Sequence, residues 1–501
     1  MDTNQLRHQG KMVVDEMAEY YDNLDNIAPM ATVKPGNLYS LIPHAVPDEP
    51  ESLEAIQRDF KDKIMPGITH WQSPNFYGWY PVNNSVPSII GEMYTAMLNI
   101  VPFSWMTSPA ATELETIVTD ALGKLLGLSE RFLALPSRKI KRLGGGVLQS
   151  GASDSLLAIV VAARERAISC RTDSVEGKEK DDAIIGVRNK LVAYCSDQTH
   201  SSVEKSTKII GCIVRIVPTI EGDFRLTKES LALAVEQDIA KGLIPFFVGS
   251  SFGTTNTATV DDLQGVADVC EQHQIWMHVD GAYGGAALAC PEFRPLAAGL
   301  ERADSFVFNP YKWMLTSIQC SCMWVADSRD LARALSIERE YLPDLHGDDV
   351  EYVREYRNWK IQMGQPFRAL KLWFVLRMHG AVGIRQHIRQ KVELAQWLGH
   401  QLEQDGRFEL VVPVAFSLVV FRVTPAAVLA VSTASGYTSD NATSDLAARI
   451  NEDGRVFLLP TLLAGRPAIR VAVGATTCSQ KHISMLLSII QQLTGNIIAS
   501  K

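Results

Sequence analysis

The chain has 501 residues, 46% apolar and 21% charged. That is a globular composition, too long for one hydrophobic core, since such cores stop growing near ~250–300 residues. Its 48 Lys and Arg against 56 Asp and Glu leave a net charge of −8, with no basic run to support a grip on phosphate backbones, so no nucleic-acid partner is expected.

Taken from the start, MDTNQLRHQGKMVVDEMAEYYDNL predicts an amphipathic helix without the apolar centre of a signal peptide. Proline-rich links break the helical periodicity that follows, so residues 1–85 are expected to form a helical arm that packs on something else. ATELETIVTDALGKLLGL predicts a helix, and Gly144-Gly-Gly reads as a turn leading into the apolar helix of SDSLLAIVVAARERA. KLVAYCS, IVRIVP, IPFFVGSS, IWMHVD, SFVFN and CSCMWVA are nearly continuous apolar runs, as strands buried on both faces of a parallel sheet require. Helical segments between several of them give the rhythm of a wound α/β domain, expected over 86–385. Residues 386–501 are expected to form a smaller α+β domain, with strands at FSLVVFRV, RVFLLP and AIRVAVG and a Ser/Thr/Ala-rich link over 431–443. No stretch approaches the ~20 uninterrupted apolar residues of a membrane span, so no membrane partner is expected. The eight cysteines lack a framework spacing and read as free thiols of a reducing, cytoplasmic compartment.

Ligands of open α/β sheets bind at the carboxyl ends of strands. Residues just after the predicted strands are therefore the candidates: Asp197–His200, Gly253–Thr255, Asp280, and Asn309–Lys312, with Ser150–Ser153 opening a helix. Each has a plain structural explanation when taken singly. Together they form a chemical set. A helix N-terminus of small residues is a phosphate cradle. A strand-end aspartate can hold a proton on a ring nitrogen, and a lysine at the next strand's exit can form a Schiff base. Those are the three needs of pyridoxal 5′-phosphate (PLP).

Ser196-Asp197-Gln198-Thr199-His200-Ser201-Ser202-Val203-Glu204-Lys205, His278-Val279-Asp280-Gly281-Ala282-Tyr283 and Phe308-Asn309-Pro310-Tyr311-Lys312-Trp313 closely resemble the PLP-dependent group II amino-acid decarboxylases, nearest to the aromatic-L-amino-acid decarboxylases, tryptophan decarboxylases among them. MPGITHWQSPNFYGWYP, FSWMTSPAATELE and FRALKLWFVLRMHG extend the resemblance nearly end to end. It implies PLP-dependent transferase fold type I (aspartate aminotransferase-like), an α/β fold with a mostly parallel seven-stranded sheet in its large domain, and a homodimer with shared active sites. It also implies PLP held covalently on Lys312, Asp280 paired with the pyridinium nitrogen, and the phosphate and nearby ring substituents held by Ala152, Ser153, Thr255 and Asn309. Ala282 would pack against the ring, and His200 would stack on its other face.

The same resemblance assigns the proton returned to Cα to Tyr341, on a mobile catalytic loop at about 335–357. Related aldehyde synthases differ at this tyrosine or at the stacking histidine; this chain keeps both, which favours the amine as product. Trp79, Tyr80 and Pro81 with Ile100, Val101 and Phe103 match the family's aromatic substrate pocket, with Val82 placed near the substrate carboxylate, and core packing explains such aromatics equally well. Gly364 stands where relatives taking indole substrates have glycine, which favours tryptophan or 5-hydroxytryptophan and leaves tyrosine, DOPA and phenylalanine open. Three departures stand out: Tyr311 replaces a usual histidine, Val82 a usual threonine, and Gln365-Pro366 a usual Arg-Arg pair. Two rival patterns, the GxSxG at Gly249–Gly253 and the HxD of His278 and Asp280, lack respectively the helix of a nucleophile elbow and a third metal ligand.

Overall fold

A computed structural model describes residues 1–134, 143–337, 354–429 and 436–499. The expected proton donor Tyr341 and most of its loop lie outside the described residues. The chain divides into two compact units, one of residues 82–395 and 411–420, the other of 1–81, 396–410 and 421–501.

The first unit is built on a seven-stranded sheet: β1 (Gly145–Gln149), β2 (Leu191–Ser196), β3 (Ile213–Val217), β4 (Ile244–Ser251), β5 (Trp276–Asp280), β6 (Ser305–Phe308) and β7 (Ser321–Val325). Their order is β1-β7-β6-β5-β4-β2-β3. β2 to β6 pair in parallel, while β7 is antiparallel to both β6 and β1. β1 therefore points the same way as β2 to β6, and six carboxyl ends share one edge. All six apolar runs named above form strands. The glycine run does not form a turn: Gly145–Gln149 is a buried strand. Glycine is required there by close approach, because a Cβ on Gly146 would stand 2.6 Å from Thr119 Cβ and 2.7 Å from Trp324 Nε1.

The helix Ala152–Thr172 covers the sheet with Leu156, Ile159, Val160 and Ala163, packed in one cluster with Val147, Ala193, Phe247 and Trp276. Its middle, residues 155–163, is mostly buried, while Ser153 and Asp154 at its start and Cys170 and Arg171 near its end are exposed.

In the second unit the arm residues join the C-terminal segment. Tyr77 N–H donates to Phe457 O at 2.9 Å, and Ala472 N–H donates to Tyr77 O at 2.9 Å. A four-stranded sheet is formed by β8 (Phe408–Leu410), β9 (Leu418–Val423), β10 (Leu459–Leu463) and β11 (Arg466–Ala472), in the order β10-β11-β9-β8. Two expectations shift here. The strand expected in RVFLLP begins only at Leu459, and the link expected over 431–443 is, from Ser439, the start of a helix to Asp453, capped reciprocally by Thr438 and Asn441. No helix among the described residues is long and apolar enough to cross a membrane.

Candidate active site

Register brings the exits of three central strands level, with Ser251 opposite Asp280 and Asp280 opposite Val307. Backbone bonds continue beyond the strands: Phe252 N–H to Asp280 O at 2.8 Å, Gly281 N–H to Val307 O at 2.9 Å, and Asn309 N–H to Ala282 O at 3.2 Å. Asp280 is buried, and its Oδ1 accepts the Ala282 N–H at 2.8 Å, so the carboxylate is held rather than free to rotate. Lys312 follows β6 on the short helix Pro310–Trp313.

His200, four residues beyond β2, turns Nδ1 to its own loop: Ser202 N–H donates to it at 3.2 Å and Ser202 Oγ lies 2.8 Å away. Nδ1 is thus the acceptor nitrogen, leaving Nε2 to carry the proton of the neutral ring. Although the ring keeps accessible surface, the protein around it pulls its pKa below the usual imidazole value; Asp280 opposes this and Lys312 adds to it. Asp280 and Lys312 therefore both act electrostatically on His200, at one sheet edge. The helix Ser202–Ile209 starts behind Ser201, an N-cap with no side-chain hydrogen bond, and Glu204 pairs with Lys208 at 2.8 Å.

Ala152 begins its helix behind Gly151, an N-cap with no side-chain hydrogen bond, and Ser153 is exposed. Thr255 is half-buried in a loop tied by Thr254 Oγ1 to Thr257 Oγ1 and by Thr257 Oγ1 to Thr259 Oγ1, each at 2.8 Å. A residue overlooked in the sequence anchors this loop: Asp261 accepts the N–H of Ser251 at 2.6 Å and of Leu226 at 2.8 Å, and burial pushes its carboxyl up to about 7. In the sequence it stands next to Asp262, and nothing distinguishes the brace from the helix cap.

Val82 and Phe103 are half-buried, and Arg357 N–H donates to Phe103 O at 3.1 Å. Gly364 is open, with no atom of the described residues within 4 Å of where a Cβ would stand. Beside it Gln365 Oε1 accepts from Arg368, which also donates to Ser150 Oγ at 3.1 Å. In the other unit Trp79 stacks on Trp71 at 5.5 Å, Tyr80 is buried with Arg470 over its ring, and Pro81 packs against Gly474. The rivals have structural explanations. Ser251 ends a strand with no helix before Leu263, and His278 is fully buried, bonded to Ser305 and held down to about 4 by burial. Among the described residues no three metal-binding side chains cluster.

These residues fit PLP. An uncapped helix start suits a phosphate, a fixed carboxylate suits a protonated pyridine, and Asn309 Oδ1, an acceptor buried without a partner among the described residues, is left for a hydrogen donor of the ligand rather than for its phosphate.

The model of the pyridoxal-dependent decarboxylase conserved domain matches residues 35–424. The chain is 40% identical to phenylacetaldehyde synthase of Arabidopsis thaliana over 98% of its length and 96% of that protein's. It is 39% identical to aromatic-L-amino-acid decarboxylase of Mus musculus over the whole of both chains. In structure it resembles a tryptophan decarboxylase (TDC) of Oryza sativa crystallised with PLP and tryptamine, at a TM-score of 0.93, 33% identity and 99% coverage of both chains. The chain belongs to the group II PLP-dependent decarboxylases, carboxy-lyases of fold type I, and its cofactor is PLP.

Proposed function

We propose that this enzyme decarboxylates aromatic L-amino acids, tryptophan or 5-hydroxytryptophan in preference, to the arylalkylamine and CO2. The observation that carries the reading is the meeting of Asp280, His200 and Lys312 at one sheet edge, in a chain similar along its full length to aromatic decarboxylases and aldehyde synthases. Bound PLP supplies a protonated pyridine, an electron sink for the pair left at Cα when CO2 departs. Lys312 would hold the cofactor covalently through its amine. Asp280, fixed by Ala282, keeps the pyridine nitrogen protonated by charge pairing. Ala152, Ser153, Thr255 and Asn309 would hold the phosphate and nearby ring substituents, and Ala282 and His200 would confine the ring from either face. The residues that orient the substrate's carboxylate would decide which bond at Cα breaks, so orientation selects the reaction. Tyr341 returns the proton to Cα. The glycine at 364, which with Val82 and Phe103 is given to the substrate site by the family resemblance, leaves room among the described residues and favours a bicyclic ring.

We assign the active form as a cytoplasmic homodimer. Supporting the dimer, the helix Thr3–Asp22 buries no side chain, and the helix Val86–Leu98 exposes Met93, Tyr94, Met97 and Leu98. Light scattering that returned a monomer would remove this assignment.

The second reading is an aromatic aldehyde synthase, favoured by the similarity to phenylacetaldehyde synthase. Incubating PLP-loaded enzyme with L-tryptophan, L-tyrosine, L-phenylalanine, L-DOPA and L-histidine, while following amine, aldehyde and peroxide, separates the two. Amine from one preferred aromatic substrate is expected, with Lys312→Ala inactive and lacking the imine absorbance. Aldehyde with peroxide would replace the decarboxylase by the synthase.

A further inference from the structure

Tyr311 stands one residue before Lys312, and its hydroxyl lies 3.9 Å from where a Cβ on Gly151 would be. It therefore overlooks the uncapped start of the helix at Ala152. The donor count around it is informative. Asn309 Nδ2, which can only donate, gives a hydrogen to the Tyr311 oxygen at 3.0 Å. The phenol's own hydrogen must then go elsewhere, and no protein acceptor takes it among the described residues. A phosphate is an acceptor only, and a helix start draws it to this place.

We infer that Tyr311 donates its phenolic hydrogen to the phosphate of bound PLP, a neutral ligand beside the helix start. The inference rests on the PLP site proposed above and adds a residue to it. The phenol stays protonated throughout the working range. Burial first, then the neighbouring acidic groups of Asp280, Cys320 and Asp154, push it up to about 12. An imidazole in this position would change charge near neutrality; a phenol does not. Tyr311 is itself fixed from behind, since Asn83 N–H donates to its backbone carbonyl at 2.6 Å.

The test compares PLP with pyridoxal, which lacks the phosphate, in the wild type and Tyr311→Phe. Dissociation constants come from absorbance titration of the apoenzyme, with inorganic phosphate as competitor in a second series. Losing a hydrogen bond to a charged group should weaken PLP about ten-fold or more. Pyridoxal should change less than about two-fold, and phosphate should compete more weakly by a similar factor to PLP. Equal weakening of PLP and pyridoxal, with phosphate competition unchanged, would make Tyr311 merely structural and overturn the inference. Unchanged PLP affinity would overturn it too: the Asn309 amide would then be turned over, with its nitrogen serving the phosphate and the phenol serving the amide. Failure of the wild type to bind PLP more tightly than pyridoxal would instead sink the phosphate site itself.

Discussion

Lys360 carries its ammonium into a place with almost no water. Its side chain is 1% exposed, and its Nζ lies 2.8 Å from Glu115 Oε1, itself on a side chain 7% exposed. Burial pulls the lysine pKa down and the carboxylate opposes it. The same oxygen accepts the N–H of Leu148 at 2.8 Å, so the pair also pins β1 just ahead of the turn to Ala152. Removing one member of a buried pair strands the other, which costs about 3–5 kcal/mol. Lys360→Met should therefore lower unfolding free energy by about that much in guanidinium titration. Adding Glu115→Gln, which retains an acceptor for Leu148, should recover at least half, and no recovery would show that the loss comes from packing rather than from a stranded charge.

Among the elements, β1 is the instructive one. Helix Pro109–Leu126 brings Thr119, and β7 brings Trp324, so close to Gly146 that a side chain there has no room. Gly146→Val should cost about 1–3 kcal/mol through overpacking, whereas Gly364→Ala, with nothing within 4 Å, should stay within about 0.5 kcal/mol, both read as shifts of the denaturation midpoint. The contrast explains what the sequence made legible. β2 and β4 to β7 are buried on both faces and read as nearly continuous apolar runs; β3, interrupted by Arg215, reads likewise but is more exposed. β1 is specified by partners distant in the chain, and a run of glycines carries no trace of them. Asp280, His200 and Lys312 were readable because each follows a recognisable strand. Asp261 was not, because bracing two backbone amides leaves the same mark as capping a helix. The hydrogen that Tyr311 has to spare is equally invisible without Asn309 placed beside it.

For the whole molecule, tolerance to acid depends on histidines kept neutral by burial. His387 is 9% exposed, its Nε2 is buried with no partner among the described residues, and burial first, then Lys391 and His379, holds its pKa at about 3. A folded-state value below the unfolded one, ~6.5, means that the unfolded chain takes up the proton first. Stability is then full above pH ~6.5 and falls with pH until the folded pKa is reached, a loss of about 2 kcal/mol by pH 5. His387→Leu should flatten this slope: relative to wild type, its melting temperature should gain between pH 8 and pH 5. A parallel fall in both proteins would place the acid sensitivity elsewhere, His278 being the next candidate at about 4.

The reversed strand also sets a timetable for biosynthesis. β1 is an edge strand whose only neighbour in the sheet is β7, with Gly145 opposite Val325. The ribosome delivers β1 before any other strand of that sheet and its partner last. At ~5–20 residues per second, β1 waits about ten to forty seconds for a mate. Through that interval its amides and carbonyls have no strand to bond, and the sheet acquires its final edge only when the last strand of the seven has emerged.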